Sequence, residues 1–96
     1  MFTRDKAEVV KHEIKRIFDL NADSKKSKEL FDKIYRYTRK HHKNIDDVDA
    51  RNGLVELIKN DIIGKNPDLD EFMVEEDTLI VVNEYVYALE RMKVGV

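Results

Sequence analysis

Residues 75–93 read EEDTLIVVNEYVYALERMK, and this stretch decides the fold class of the 96-residue chain. Its central LIVV run, at 79–82, suits a β-strand as well as a helix, because a short apolar run has no diagnostic period. The flanks favour a helix: acidic residues stand at the beginning and Arg91 and Lys93 stand at the end, as the helix macrodipole prefers. We therefore predict a helix over about 75–93, with a strand at 78–82 as the alternative.

This predicted last helix is apolar on nearly all sides. Ile80 and Tyr87 fall almost opposite its main apolar face, beside Glu84. A helix of this kind is buried on several sides or covers its second face with a partner, and tyrosine is enriched at protein interfaces. The pattern predicts a protein contact through Ile80, Glu84 and Tyr87, and leaves open a homodimer through the same helix. The main apolar face carries Thr78, Val82, Tyr85, Val86, Leu89 and Met92.

Two amphipathic helices are predicted at the beginning of the chain. Thr3 caps the first, and Lys6, Glu13 and Arg16 are expected to point away from its apolar face. The second spans about 24–42. The first buries Ala7, Val10, Ile14, Ile17 and Phe18, and the second buries Leu30, Phe31, Ile34, Tyr37, Thr38 and His41.

A third helix follows a cap at Asp46 or Asp47 and ends at Gly64, a residue that suits a left-handed position after a helix. Gly53 lies inside it, which indicates either close packing or a kink. Asn66-Pro67 then opens a short acidic helical turn. The predicted apolar positions of the third helix are Val48, Leu54, Val55, Ile58, Ile62 and Ile63.

These elements predict an all-α fold: a single domain over 1–96 forming an antiparallel, up-down-up-down four-helix bundle with a short acidic helical turn before the last helix. The acidic turn adds Asp68, Asp70 and Glu71 to the candidate protein contacts.

The composition limits the functional classes. The chain has no Cys, which excludes disulfides and thiolate chemistry. No apolar run approaches the roughly 20 residues that a membrane-spanning helix needs. We therefore expect a soluble, cytoplasmic protein that does not insert into membranes.

The charges are sorted along the chain, although the net charge is only −2. Residues 24–43 carry eight basic and two acidic side chains, whereas residues 44–96 carry thirteen acidic and five basic ones. This sorting favours oriented binding. Nucleic-acid binding through the basic residues is the alternative function, but acidic residues elsewhere would repel a polyanion. The simpler interpretation of the basic residues is a solvated helix face that is paired with acids on a neighbouring helix. The basic residues on one outer face of the second helix are Lys25, Lys28, Arg36, Arg39 and Lys43.

No catalytic arrangement stands out. His41 or His42 could meet Asp46 or Asp47 across a turn, but adjacent helical residues diverge by about 100° and do not easily share one metal ion. The acidic stretches do not fit the spacing of a calcium-binding loop. We expect neither an enzyme nor a cofactor.

Three passages carry a family resemblance: AEVV at 7–10 continuing to Ile17, KELFDKIY at 28–35, and LVELIKNDI at 54–62 followed by a loop and Glu75-Glu76. Their order and apolar pattern resemble the small immunity proteins that protect Gram-positive bacteria against their own class II bacteriocins. The resemblance implies four antiparallel helices and stoichiometric docking, without chemistry, on the cytoplasmic side of a membrane receptor complex. That family commonly has an extended specificity tail after its fourth helix. Here only residues 92–96 follow, so the tail is not carried over.

Overall fold

The protein forms four α-helices, in agreement with the helical periodicity of its sequence. A computed structural model describes these helices and their connections over residues 2–92. The all-α prediction is confirmed. Residues 78–82 are helical, so the strand alternative is wrong. Lys93, which was predicted to place a positive charge at the end of the last helix, lies outside the described residues. The helices are α1 Arg4–Phe18, α2 Lys28–His41, α3 Val48–Lys65 and α4 Glu71–Arg91, with a 3-10 turn, His42–Asn44, after α2.

The four helices pack in a ring, each against the helices before and after it, and α4 closes the ring against α1. The contacts between α3 and α4 run in opposite order along the two helices. Arg51, early in α3, donates to Asn83, late in α4, at 3.4 Å. Lys59, late in α3, lies 3.5 Å from Glu71, at the beginning of α4. The bundle is therefore antiparallel here, and α2 and α4 occupy diagonal positions.

A hydrogen bond crosses the core on this diagonal. The Tyr85 hydroxyl of α4 and Thr38 Oγ1 of α2 are 2.7 Å apart, and Thr38 also donates to the Ile34 carbonyl oxygen at 2.8 Å. Burial raises the pKa of the Tyr85 hydroxyl well above its usual value, so the group stays protonated. The Phe18 ring packs edge-on against Tyr85, 5.0 Å between centroids. The apolar core around them includes Val10, Ile14, Leu30, Phe31, Ile45, Leu54, Ile58, Val82 and Leu89.

The first helix begins as predicted, because Thr3 Oγ1 accepts from the Lys6 backbone N–H at 3.2 Å. The prediction for Glu13 is wrong: this carboxylate is only 2% exposed. It accepts from Arg16 Nε at 2.8 Å. Glu13 and Ala88 line the same groove between α1 and α4, so the carboxylate lies at the contact between these two helices.

The second helix begins later than predicted. Residues 24–27 form a turn, in which the Ser24 carbonyl oxygen accepts from the Lys28 N–H at 2.8 Å. The Ser27 hydroxyl accepts a hydrogen bond from the Asn21 N–H and donates one to the Asn21 carbonyl oxygen, each at 2.9 Å. These bonds hold the loop before α2, and they place Lys25 in the loop.

The third helix extends beyond Gly64 to Lys65. The Asn66 backbone N–H donates to the carbonyl oxygens of Ile62 and Ile63, at 3.0 and 3.1 Å. Because Asn66 satisfies these terminal carbonyls, the helix does not need a left-handed glycine to end it. Val48 was predicted to be buried, but it is 63% exposed at the first helical position.

The acidic turn before the last helix is present but shorter than predicted. It closes with a bond from the Leu69 N–H to the Asn66 carbonyl oxygen at 3.1 Å. The acidic residues from Glu71 onward belong to α4 itself. Across the described part of the chain, no helix has both the length and the apolar character to cross a membrane.

Gly53 permits a close contact between α2 and α3. A Cβ atom at this position would collide with the hydroxyl of Tyr37, which donates to the Ala50 carbonyl oxygen. The close-packing interpretation of Gly53 therefore applies.

We expect Gly53→Ala to lower the free energy of unfolding by about 1 kcal/mol, because the clash outweighs the improved helix propensity. In a Tyr37→Phe background the same substitution should be neutral or stabilising, because the colliding hydroxyl is gone. Urea denaturation of the four proteins of this double-mutant cycle measures the coupling. An equal effect of Gly53→Ala in both backgrounds would contradict the assigned contact.

Candidate protein-binding face

The outward side of α4 carries large apolar side chains. The inward side fills the core with Val82, Tyr85 and Leu89. At about 3.6 residues per turn, the residues on the opposite side fall within roughly 120° of one another. They form a continuous surface along the helix, and we call it the α4 outer face. It consists of Phe72, Met73, Glu76, Ile80, Glu84 and Tyr87.

The structure brings together the three predicted contact residues of the last helix. Ile80 is 66% and Tyr87 63% exposed, and Glu84 is exposed between them. The Arg91 guanidinium carbon lies 5.7 Å from the Tyr87 ring centroid, so a cation covers part of this ring. Tyr87 therefore presents its hydroxyl and the rest of its ring outward.

Sequence reasoning missed Phe72 and Met73, which are 68% and 59% exposed. The prediction began the helix at 75 and so placed both residues in the acidic turn. The available signal was Asp70, a good N-cap residue directly before them. A helix starting there sets Phe72 eight residues before Ile80, on the same face.

The three predicted acidic contacts differ in their surroundings. Asp70 caps α4, because its Oδ1 accepts from the Phe72 N–H at 2.9 Å. Glu71 lies 3.5 Å from the Lys59 ammonium. Asp68 is exposed in the turn. Asp70 thus stabilises the helix that carries the outer face, whatever else it contacts.

Lys59 links α3 to the beginning of α4 from a buried position. Its ammonium lies 3.1 Å from Glu56 and 3.5 Å from Glu71. The pKa of Lys59 is raised, mainly because its ammonium donates a hydrogen bond to the Glu56 carboxylate. The raised pKa keeps Lys59 positively charged. Glu56, Glu75 and Glu76 also line a groove of about 400 Å³ between α3 and α4, together with Val55 and Leu79. This groove borders the α4 outer face.

The predicted basic residues are all exposed and lie along α2 and its two flanks. Lys25 precedes the helix and Lys43 lies in the 3-10 turn. Arg39 sits 6.0 Å from the Phe2 ring centroid. None of the five forms an ion pair with a described residue, whereas nearby Lys33 bonds Glu29 and Asp61, both at 3.2 Å. We call this surface the α2 basic face: Lys25, Lys28, Arg36, Arg39 and Lys43.

The α4 outer face and the α2 basic face lie on different sides of the bundle, because α2 and α4 are diagonal in the ring. These five side chains form a solvated face, as the simpler interpretation predicted, but none of them is paired with an acid of a neighbouring helix among the described residues. The molecule instead presents separated regions of opposite charge, which orient it in the field of a charged partner.

The histidines considered as metal ligands have other contacts. The His41 ring lies over Tyr37, with 4.3 Å between centroids, and His42 Nδ1 is 2.9 Å from the Arg39 carbonyl oxygen. Within residues 2–92, no group of three or more His, Cys, Asp and Glu side chains is placed to hold a metal ion.

Comparisons with models of protein families, with curated proteins and with solved structures gave no match to this chain.

We expect Asp70→Ala to lower the free energy of unfolding by about 1 kcal/mol, because the Phe72 N–H loses its acceptor. Asp68→Ala removes the same charge two residues earlier and should change stability by less than about 0.5 kcal/mol. Thermal and urea denaturation compare the two variants. Equal losses would show that acidic charge near the helix N-terminus, and not the cap, is what stabilises α4.

Proposed function

We propose that this chain is a non-enzymatic protein-binding module that contacts its partner stoichiometrically through the α4 outer face. The observation that carries the proposal is the exposure of Phe72, Ile80 and Tyr87, each above 60%, along one side of a helix whose other side forms the core. Contiguous exposed apolar surface marks interaction sites, and large aromatic side chains contribute most to interface energies.

The charge of the surface indicates the chemistry of the partner. Glu76 and Glu84 lie within the α4 outer face, and the bordering groove is lined by Glu56 and Glu75. Complementary charge selects partners and accelerates their encounter. A helix laid in a groove buries its apolar side and exposes its polar flanks. The proposed partner therefore presents a cationic amphipathic helix.

The resemblance to class II bacteriocin immunity proteins supports the same mode of action. Such a protein acts by docking and not by chemistry, and its partner is a membrane receptor complex met at the cytoplasmic side. The separation of the α2 basic face from the acidic residues of α4 fits orientation-dependent docking, as it fits other charged partners. We extend the proposal to this role and to a cytoplasmic location.

The proposal can be tested with a synthetic amphipathic helical peptide of Leu and Lys, compared with a scrambled peptide of the same composition. Only the amphipathic peptide should shift the NMR amide signals of the α4 outer face and its groove. Ile80→Ala combined with Tyr87→Ala should weaken its affinity by about tenfold or more. The melting temperature should hardly change, because both side chains are exposed.

His12→Ala is the matched control, because His12 is exposed on α1. Equal shifts by both peptides, or affinity unaffected by the double substitution, would contradict the proposal. Light scattering after size exclusion, at low and high salt, tests for self-association. A salt-resistant dimer that the double substitution dissociates would mean that a second copy, not a cationic partner, covers the face.

Nucleic-acid binding is a second candidate, favoured by one specific observation. The α2 basic face has no ion-pair partners among the described residues, and it lies away from the acidic surface. A polyanion could therefore approach it without meeting the acidic residues of α4. Phosphate binding releases condensed counterions, which makes the affinity strongly dependent on salt.

For this candidate we expect binding of a short DNA duplex at low salt, with log affinity falling by about 0.9 per log unit of salt for each phosphate neutralised. Combining Arg36→Glu and Arg39→Glu should abolish binding, whereas Arg4→Glu together with Lys15→Glu on α1 makes the same change in net charge and should weaken binding much less. Fluorescence anisotropy measures both. Absence of binding at low salt would exclude the candidate.

A further inference from the structure

The charges along the α4 outer face differ between its two ends. Near the beginning of α4, Glu75 and Glu76 line the groove toward α3 together with Glu56. The Lys59 ammonium at this end already lies 3.1 Å from Glu56 and 3.5 Å from Glu71. Glu75 and Glu76 form no ion pair with a described side chain, and both are exposed. This end therefore keeps two free carboxylates that can bind cations of a partner.

The other end of the face, around Tyr87, carries balanced charges. The Arg91 guanidinium carbon lies 5.7 Å from the Tyr87 ring centroid. Arg16 of α1 lines the groove beside this ring, and its side chain is 51% exposed although it lies 2.6 Å from the buried Glu13. Glu84 lines the same groove. Two cations thus offset two carboxylates, so this end offers a cationic group little net attraction.

The two ends are far enough apart to act separately. Tyr87 is eleven positions after Glu76, which corresponds to about 16 Å along the helix axis. Exposed charges in water are largely screened beyond roughly 8 Å at physiological ionic strength. The apolar Ile80 lies between the two ends. A charged helix that lies along this face therefore has different electrostatic energies in its two directions.

We infer that the partner helix carries its cations at one end, and that this end lies over Glu75 and Glu76 while the uncharged end covers Tyr87. The inference rests on the proposed function and adds the direction in which the partner docks. In this direction the cations meet free carboxylates, whereas the reversed helix places them beside Arg16 and Arg91. The position of the cations, and not the chain direction of the partner, sets the docking direction.

The test uses amphipathic helical peptides whose apolar side is Leu and whose polar side is Lys in one half and Gln in the other. One peptide has the Lys half at its N-terminus, and a second has it at its C-terminus. Each is spin-labelled at one end or the other and bound to the full-length chain, and NMR measures the paramagnetic broadening of amide signals along α4.

In both peptides, a label on the Lys end should broaden mainly the signals of residues 72–79, and a label on the Gln end mainly those of 84–91. The inferred direction should be populated about fivefold over the reverse, as expected from one or two exposed ion pairs. Equal broadening from the two labels, or a direction that follows the N-terminus of the peptide, would overturn the inference alone. No broadening anywhere on the α4 outer face would overturn the proposed function together with the inference.

Two double variants assign the direction to the named carboxylates. Glu75→Gln with Glu76→Gln removes both of them, so the two directions should become equally populated. Glu8→Gln with Asp23→Asn makes the same change in net charge at exposed positions on α1 and in the loop after it, and should leave the preference intact. A preference that survives the first pair of substitutions, or disappears with the second, would overturn the inference.

Discussion

The hydrogen bond between Thr38 and Tyr85 is the constraint on which the arrangement of the bundle depends. Tyr85 is completely buried, and a buried hydroxyl without a partner would cost about 1–3 kcal/mol. Its partner stands on the diagonal helix α2, so satisfying the hydroxyl sets the rotation of α4 about its own axis. Residues two apart on a helix diverge by about 200°. With Tyr85 turned inward, Tyr87 must turn outward.

The same ring of helices explains how a nearly neutral chain separates its charges in space. The basic stretch at 24–43 precedes the acidic stretch at 44–96, but sequence order alone does not decide whether the α2 basic face and the acidic residues of α4 meet. They stay apart because α2 and α4 are diagonal and touch through the core. The pairing that does occur lies at the seams between neighbouring helices: Asp61 of α3 binds Lys33 of α2 and Lys65 of its own helix, each at 3.2 Å.

The sequence predicts what depends on periodicity and local chemistry. The all-α fold, the Thr3 cap, the inward Tyr85 and the outward Ile80 and Tyr87 follow from helical spacing. Properties decided by a neighbouring helix were not predictable. Glu13 is buried where α1 packs against α4, in a groove that Ala88 also lines, and Gly53 faces a hydroxyl from α2. The boundaries of α3 and α4 depended on which of several candidate capping residues was used. The sequence predicted that α3 ends at Gly64 and that the last helix begins at about residue 75. In the structure Asn66 follows the end of α3, and Asp70 caps the beginning of α4.

A small bundle usually exposes its charged side chains and buries its large apolar ones, but several residues of this protein do the opposite. Glu13 and Lys59 are buried with ion-pair partners, whereas Phe72, Ile80 and Tyr87 remain exposed. Burying three such side chains contributes about 2 kcal/mol each, and association costs at least about 4 kcal/mol. The three residues therefore support only a weak complex by themselves. A specific interface of about 800 Å² per partner must extend past them, and the acidic groove between α3 and α4 is the adjoining surface whose charge selects a cationic partner.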